Sequence, residues 1–69
     1  MYVDDYIKKT KDKYRVGDKL NIENYSKKKE EGTIVQITNY FAVVQFKNWK
    51  ECFHWHDLHI RNIEPRRPN

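Results

Sequence analysis

The sequence predicts a small all-β domain of five short strands, and three observations support this prediction. β-branched and aromatic residues dominate only one long stretch, residues 32–46, in which two apolar runs flank a turn at Asn39. Asparagine tolerates the left-handed conformation that tight reversals require, so this stretch predicts a central β-hairpin. Leu20 and Ile22 alternate with polar neighbours, as in a half-buried strand, and residues 51–55 alternate in the same way.

Length and composition predict a single domain. The chain has 69 residues, of which 38% are apolar and 35% charged, so there is room for one core only. Ten aromatic residues argue against full disorder. The single cysteine, Cys52, cannot form an intramolecular disulfide, and no stretch has the form of a signal peptide or a membrane span. We therefore expect a cytoplasmic monomer with no membrane contact.

The net charge is +4, which favours a polyanionic partner such as DNA or RNA. Lysine, asparagine, isoleucine and tyrosine are abundant, whereas glycine, alanine, arginine and proline are scarce. This usage is expected of an AT-rich genome. The lysines are therefore weaker support for nucleic-acid binding than their number suggests.

The N-terminal segment, residues 1–14, predicts either a short amphipathic helix or a frayed end. Its apolar residues, among them Tyr6, Ile7 and Tyr14, lie near a spacing of four. Acidic residues come early and lysines late, which suits the helix dipole. Such a short helix forms only if it docks on the rest of the domain.

The remaining elements follow in order over residues 15–65. Val16-Gly17-Asp18 predicts a turn before the first strand, and residues 24–31 lack apolar periodicity and predict a loop. After the central hairpin, Asn48-Trp49 predicts the centre of a second tight turn. The next strand, residues 51–55, places Phe53 and Trp55 on one face.

The end of the chain predicts a turn, a last strand and a tail. Residues 56–59 fit a single 3₁₀ turn, and Ile60 and Ile63 frame a short fifth strand. Two prolines bar regular structure at the end, so residues 66–69 predict a mobile tail.

Several phrases resemble KOW and Tudor-type modules of the SH3-like barrel family over residues 15–65. Arg15-Val-Gly-Asp-Lys-Leu20 resembles their "xVGDxV" opening strand, and Gly32-Thr-Ile-Val-Gln-Ile37 their glycine-led second strand. Val43-Val-Gln-Phe46 resembles the third, and Cys52-Phe53 with Asp57-Leu58 and Ile63 the closing pattern. The resemblance implies a five-stranded SH3-like barrel. It extends to small uncharacterised proteins of phage, plasmids and conjugative elements.

One departure from the family pattern concerns the second tight turn, at Asn48-Trp49, which is called the distal turn in this family. Family members usually carry Asp-Gly or Asn-Gly there, and here Trp49 takes the glycine position. A large aromatic side chain thus stands where solvent is expected, so we predict that Trp49 either folds back on the sheet or binds a ligand.

The leading functional prediction is a non-catalytic module that binds nucleic acid through a basic and aromatic loop face. Lysines would contact phosphates and aromatic rings would stack on bases. The predicted binding residues are Tyr25, Lys27, Lys28, Lys29, Tyr40, Lys47, Trp49 and Lys50.

The alternative is a protein-interaction adaptor that binds no nucleic acid. The resemblance implies an aromatic-lined groove between the first loop and the distal hairpin, where some members bind proline-rich or modified-lysine ligands. Tyr25, Trp49 and Trp55 would contribute to that groove.

Neither catalysis nor a cofactor is predicted. The run of Cys52, His54, His56 and His59 has ligand types suited to zinc, but structural zinc sites usually pair ligands on separate knuckles. Solvated histidines on a polar strand face are the preferred interpretation. No glycine-rich phosphate loop is present, and a small barrel lacks the volume for a deep pocket.

The predicted core follows the inward face of each strand. Its choice of Ala42 and Val44 over Phe41 and Val43 depends on register, because a slip of one residue would invert it. The predicted core residues are Val16, Leu20, Ile22, Ile34, Ile37, Ala42, Val44, Phe46, Phe53, Leu58 and Ile63.

Overall fold

The structure, a computed structural model, describes residues 2–23 and 26–67, with side chains from Ile7 onward. The elements in chain order are helix α1 (Tyr2–Lys13), strands β1 (Lys19–Glu23), β2 (Lys29–Ile37), β3 (Phe41–Gln45) and β4 (Lys50–His54), and helix α2 (Trp55–Arg61). The four strands form one antiparallel sheet in the order β1-β2-β3-β4. The prediction of a mostly β fold is confirmed.

The predicted fifth strand at Ile60–Ile63 is wrong, and the sheet is open. Helix α2 begins at Trp55 and runs through this region to Arg61, replacing both the end of the predicted strand 51–55 and the 3₁₀ turn. Trp55 and Leu58 are three residues apart and both buried, which is the spacing of one helical face. Asn62 ends the helix in the left-handed conformation.

Beyond α2, the chain returns to the open edge of β1. Arg66 forms an isolated bridge with Lys19, and each backbone N–H donates to the carbonyl of the other residue. Arg67 lies beside the buried carboxylate of Asp18. Of the segment predicted to be a mobile tail, these two residues therefore contact β1 and the turn that precedes it, and the other two lie outside the described residues.

A β-bulge in β2 allows Ile34 and Ile37 to face the core together, although in a regular strand residues three apart face opposite sides. Strand β2 shifts register between Ile34 and Gln36, so that Ile34 pairs with Val44 while Ile37 pairs with Ala42. The extra residue, Val35, points outward. Ile34 is thus fully buried, and Ile37 packs against the core from the same face.

The core lies between one face of the sheet and the two helices. The register prediction is confirmed, because Ala42 and Val44 are fully buried. Tyr14 and Trp55 join the core although they were not in the predicted list, and Ile7 of α1 packs against it. The buried apolar residues are Tyr14, Leu20, Ile22, Ile34, Ala42, Val44, Phe46, Phe53, Trp55, Leu58 and Ile63.

Val16 does not belong to the core, contrary to the prediction. It occupies the turn that the sequence correctly placed at residues 16–18, where Asp18 N–H donates to the Arg15 carbonyl. Gly17 takes a φ of 99° in this turn, a conformation that favours glycine. The Val16 side chain consequently points to solvent and is 61% exposed.

The central hairpin forms as predicted, but its turn is stabilised differently. Asn39 is not among the described residues with positive φ. Instead, the Thr38 hydroxyl oxygen accepts hydrogen bonds from Tyr40 and Phe41 N–H at 3.1 and 3.0 Å. Trp55 Nε1–H donates to the Thr38 carbonyl at 3.1 Å, which fixes the turn to α2.

Two other boundaries differ from the predictions. Strand β2 begins at Lys29, so the predicted loop 24–31 is shorter than expected. The bends of the second hairpin lie at Lys47 and Asn48, one residue before the predicted centre. No helix among the described residues combines the length and apolar character needed to cross a membrane.

Candidate binding groove

An open groove lies between the adjoining ends of β1 and β2, the β3–β4 turn and the segment after α2. Its volume is about 1120 Å³. Ile22 and Ile63 contribute aliphatic surface, and three aromatic side chains, Phe46, Trp49 and Phe53, contribute the rest of the apolar lining. The groove is therefore an aromatic concavity at one end of the sheet.

Trp49 folds back on the sheet and remains partly exposed. Its indole stacks on Phe46 with ring centroids 5.0 Å apart and an angle of 20° between the planes. Phe46 N–H donates to the Trp49 carbonyl at 2.7 Å, and the Gln45 side-chain amide donates to the carbonyls of both residues. The indole is 40% exposed. Its position is thus set before any ligand arrives, which lowers the entropy cost of binding.

Gly32 creates the space into which Phe46 folds. A Cβ atom at this position would overlap Val44 Cγ1 and would lie 2.9 Å from Phe46 Cε1. The sequence therefore uses glycine here for close approach of two strands' side chains, not for a positive φ. Phe46 also meets Phe53 edge to face, at 6.2 Å between centroids.

Charged side chains of both signs surround the aromatic lining. The four acidic lining residues are Glu23, Glu30, Glu51 and Glu64, and the four basic ones are Lys27, Lys29, Arg61 and Arg66. The described residues of the lining thus carry no net formal charge. The Arg61 guanidinium lies over the Phe53 ring at 5.8 Å, and Arg66 also pairs with Glu31.

Strand register places two of the carboxylates on the same face as the core. Glu30 is paired with Ile22 and Glu51 with Val44, and cross-strand partners project to the same side of a sheet. Sequence reasoning named Glu30, Glu31 and Glu51 as the few acidic residues available to the groove, but it could not place them because the strand pairing was unknown. The sequence of β2 did indicate the side on which Glu30 lies. Glu30 is two residues from Gly32 and four from Ile34, so it faces the same side of the strand as they do.

The predicted binding residues do not form one surface. Lys27, Lys29 and Trp49 line the groove, whereas Lys28, Lys47 and Lys50 are exposed outside its lining. Lys27 adopts a φ of 61°. Among the charged residues of the lining, Glu23, Arg61 and Glu64 were not singled out from the sequence.

Tyr40 lies far from the other predicted binding residues. It is 74% exposed in the β2–β3 turn, at the opposite end of β3 from Trp49. The predicted contribution of Tyr25 falls outside the described residues. Trp55, predicted for the interaction groove, is buried against Tyr14 and does not line it.

The cysteine and the histidines lie elsewhere. Cys52 and His54 are exposed on β4, and His56 and His59 are on α2. The His54 ring meets Phe41 edge to face at 6.1 Å. In residues 7–23 and 26–67, the acidic, cysteine and histidine side chains form no group of three or more that could hold a metal ion.

Comparison of the chain with protein-family models, with curated proteins and with solved structures gave no match.

Proposed function

We propose that this protein is a small non-catalytic binding module whose groove takes an extended peptide segment with both acidic and basic side chains. The observation that supports this most is the charge balance of the groove, where four carboxylates and four cations surround an aromatic lining. A polyanion would meet repulsion from the carboxylates, whereas a mixed-charge peptide can place an opposite charge beside each group. Charge complementarity of this kind contributes specificity more than affinity.

Trp49 would supply most of the affinity. Tryptophan is enriched at the energetic centres of interfaces, because it buries a large apolar area at low entropy cost. Its contact with Phe46 orients the indole in advance, and its exposed part faces the groove. Lys27, Lys29 and the four glutamates would then pair with ligand charges at the rim.

A non-catalytic role fits the placement of the reactive side chains. In the described part of the chain, neither Cys52 nor any histidine lines the groove. Nucleophilic catalysis needs a nucleophile and a base within hydrogen-bonding reach of each other and of the substrate. Among the described residues that line it, the groove has no cysteine–histidine pair of this kind.

We also propose that the chain around Arg66 closes this open sheet into an SH3-like barrel. A strand that closed this sheet would have to pair with the open edge of β1. The isolated bridge between Lys19 and Arg66 lies on that edge, after a helical turn that returns the chain from β4. Slow amide exchange at Glu64 and at Asn21, the next pair along this edge, would support closure, and rapid exchange at both would contradict it.

Nucleic-acid binding is the second candidate. The net charge of +4 and the exposed Lys28, Lys47 and Lys50 favour it. These lysines, with Lys27 and Lys29, would contact phosphates while Trp49 stacks on a base. Binding of this kind weakens steeply as salt rises, which separates it from peptide binding.

The test is a titration of isotopically labelled protein, followed through its amide signals and the Trp49 indole N–H. The probes are short peptides of mixed, wholly acidic and wholly basic charge, and a thymidine oligonucleotide, each at low and moderate salt. Peptide binding predicts that the mixed-charge peptides move the groove signals at both salt levels. If the oligonucleotide causes larger signal shifts than the peptides, and these shifts disappear at moderate salt, the second candidate is favoured.

Trp49→Ala and Tyr40→Ala form a matched pair for this titration. Both remove an exposed aromatic side chain from a hairpin turn, but only Trp49 lines the groove. We expect Trp49→Ala to abolish the shifts and Tyr40→Ala to preserve them. Equal losses in both variants, or no shifts with any probe, would overturn the proposal.

A further inference from the structure

A second, smaller crevice lies between α1 and α2, apart from the aromatic lining of the groove. Its volume is about 300 Å³. Lys9, Thr10, Lys13 and Tyr14 line it on one side, and Leu58, His59 and Asn62 on the other.

The crevice has a closed, well-packed floor. Tyr14 and Leu58 are nearly fully buried, and Thr10 is 7% exposed. The Tyr14 ring stacks on Trp55, and its hydroxyl donates to the Ile63 carbonyl. The walls are therefore held by the core.

Basic side chains stand at the mouth of this crevice. Among the described residues, Lys9, Lys13 and His59 are in the lining and no aspartate or glutamate is. Lys9 and Lys13 lie one helical turn apart, so α1 keeps two like charges on one face, which disfavours the helix unless an anion lies near them. Glu64 partly meets that need, because its carboxylate lies 2.7 Å from the Lys13 ammonium.

We propose that this crevice is an anion site that binds a phosphate group. The two ammonium groups donate charge-assisted hydrogen bonds, the strongest class available to a phosphate oxygen at a protein surface. The polar Thr10, Asn62 and His59 side chains supply further groups along the walls. The phosphate belongs either to a small free anion or to the backbone of a nucleic-acid strand, and both sources share the same chemistry.

Glu64 acts as a built-in competitor in this proposal. It already holds Lys13, so a phosphate must share that ammonium with the carboxylate. Removing the negative charge with Glu64→Gln should therefore tighten phosphate binding. A surface that attracted anions only through the overall charge of the protein would respond equally to the loss of any exposed carboxylate, such as Glu51.

The first test titrates inorganic phosphate into labelled protein at constant ionic strength. We expect shifts confined to the amides of residues 9–14 and 58–62. The double variant Lys9→Gln/Lys13→Gln should weaken binding by about tenfold or more. Lys8→Gln is the matched control, because Lys8 is an exposed lysine on the same helix that does not line the crevice. Thermal melts of each variant show that the fold is retained.

A second arm distinguishes the two sources. If a thymidine oligonucleotide shifts the signals of the same crevice amides and binds more tightly than phosphate, the site binds a nucleic-acid strand. If phosphate moves them and the oligonucleotide does not, the site serves a small anion. Equal weakening by Lys8→Gln and the double variant, equal tightening by Glu64→Gln and Glu51→Gln, or no shifts with either probe would each overturn the proposal. Trp49→Ala leaves this crevice intact, so failure of the groove and failure of the crevice are separately visible.

Discussion

The hydroxyl of Tyr14 donates a hydrogen bond to the backbone carbonyl of Ile63, 49 residues later in the chain. Tyr14 follows directly after α1, and its ring stacks on Trp55 at the start of α2, with centroids 5.9 Å apart. One side chain thus joins the N-terminal helix, the second helix and the segment after it. This contact makes α1 part of the domain, and it also forms the floor of the proposed anion site.

Tyr14→Phe should destabilise the protein by about 1–3 kcal/mol, because the substitution leaves a buried carbonyl of Ile63 without its donor. The ring and its stacking on Trp55 are retained. Chemical denaturation followed by tryptophan fluorescence measures the change. An unchanged midpoint would show that water replaces the hydroxyl.

Alkaline pH should destabilise the protein through the same residue. Burial, and then the negative charge of Glu64, raise the pKa of Tyr14 from 10.0 to about 12. A tyrosine whose pKa is higher in the folded state contributes stability that is complete below pH 10 and lost as pH rises toward 12.

Tyr14→Phe is also the control for this pH dependence, since lysines and other tyrosines titrate in the same range. The variant should lose less stability than the wild type between these pH values. Glu64→Gln should lower the pKa of Tyr14, which the chemical shifts of its ring carbons report. A Tyr14 pKa that Glu64→Gln leaves unchanged would contradict the electrostatic part of this account.

Gly32→Ala should destabilise the protein by about 1–3 kcal/mol or more, because a methyl group there forces Val44 and Phe46 to move. Gly17→Ala is the informative comparison. Its Cβ would meet no atom within 4 Å, so only the strain of a φ of 99° remains. We therefore expect Phe46 and Trp49 signals to shift in the Gly32 variant and to stay in place in the Gly17 variant.

Asp18 should matter far more than its partner Arg67. Its carboxylate is 2% exposed, accepts the Arg15 backbone N–H at 2.9 Å and lies 3.3 Å from the Arg67 guanidinium. Asp18→Ala should lower the free energy of unfolding by about 1–3 kcal/mol, because it leaves the Arg15 backbone N–H without its acceptor. Arg67→Ala should cost less than about 1 kcal/mol, since the guanidinium is half-exposed. Equal costs in denaturation would contradict this ordering.

Substitutions at Phe46 and at Trp49 should differ in effect: the first should mainly lower stability, and the second should mainly weaken binding. Phe46 is buried, so Phe46→Ala should cost about 3–5 kcal/mol. Trp49→Ala removes a partly exposed ring, and we expect a loss of about 1 kcal/mol, in the range of one aromatic pair. Denaturation of both variants, set beside peptide titration of Trp49→Ala, tests whether Trp49 serves the groove or only the turn.

The sequence by itself determined most of the sheet, although not its number of strands. Period-two alternation identified Leu20, Ile22, Ala42 and Val44 as inward-facing, and the turn at Gly17 followed from local conformational preference. These features depend on residues close together in the chain, which is why pattern and propensity suffice for them. Trp49, Lys27 and Lys29, named from the sequence as binding residues, lie in the lining of the groove, and their role in binding stays a prediction.

Only the tertiary structure decided the end of the chain. Residues 55–61 are too short and too mixed for their period to distinguish a strand from a helix, and burial of Trp55 and Leu58 against α1 and the sheet selected the helix. The docking of α1 likewise depends on Tyr14 reaching Ile63, a contact that no local pattern encodes.

The tertiary structure also decided the character of the candidate sites. The sequence shows an excess of lysine, but the pairing of β2 with β1 and of β4 with β3 brings Glu30 and Glu51 into the groove. The excess of positive charge lies outside the described groove lining, at exposed lysines such as Lys28, Lys47 and Lys50 and at Lys9 and Lys13 beside the crevice between the helices. Net charge is a sum over the chain, whereas recognition depends on which charges the fold places together.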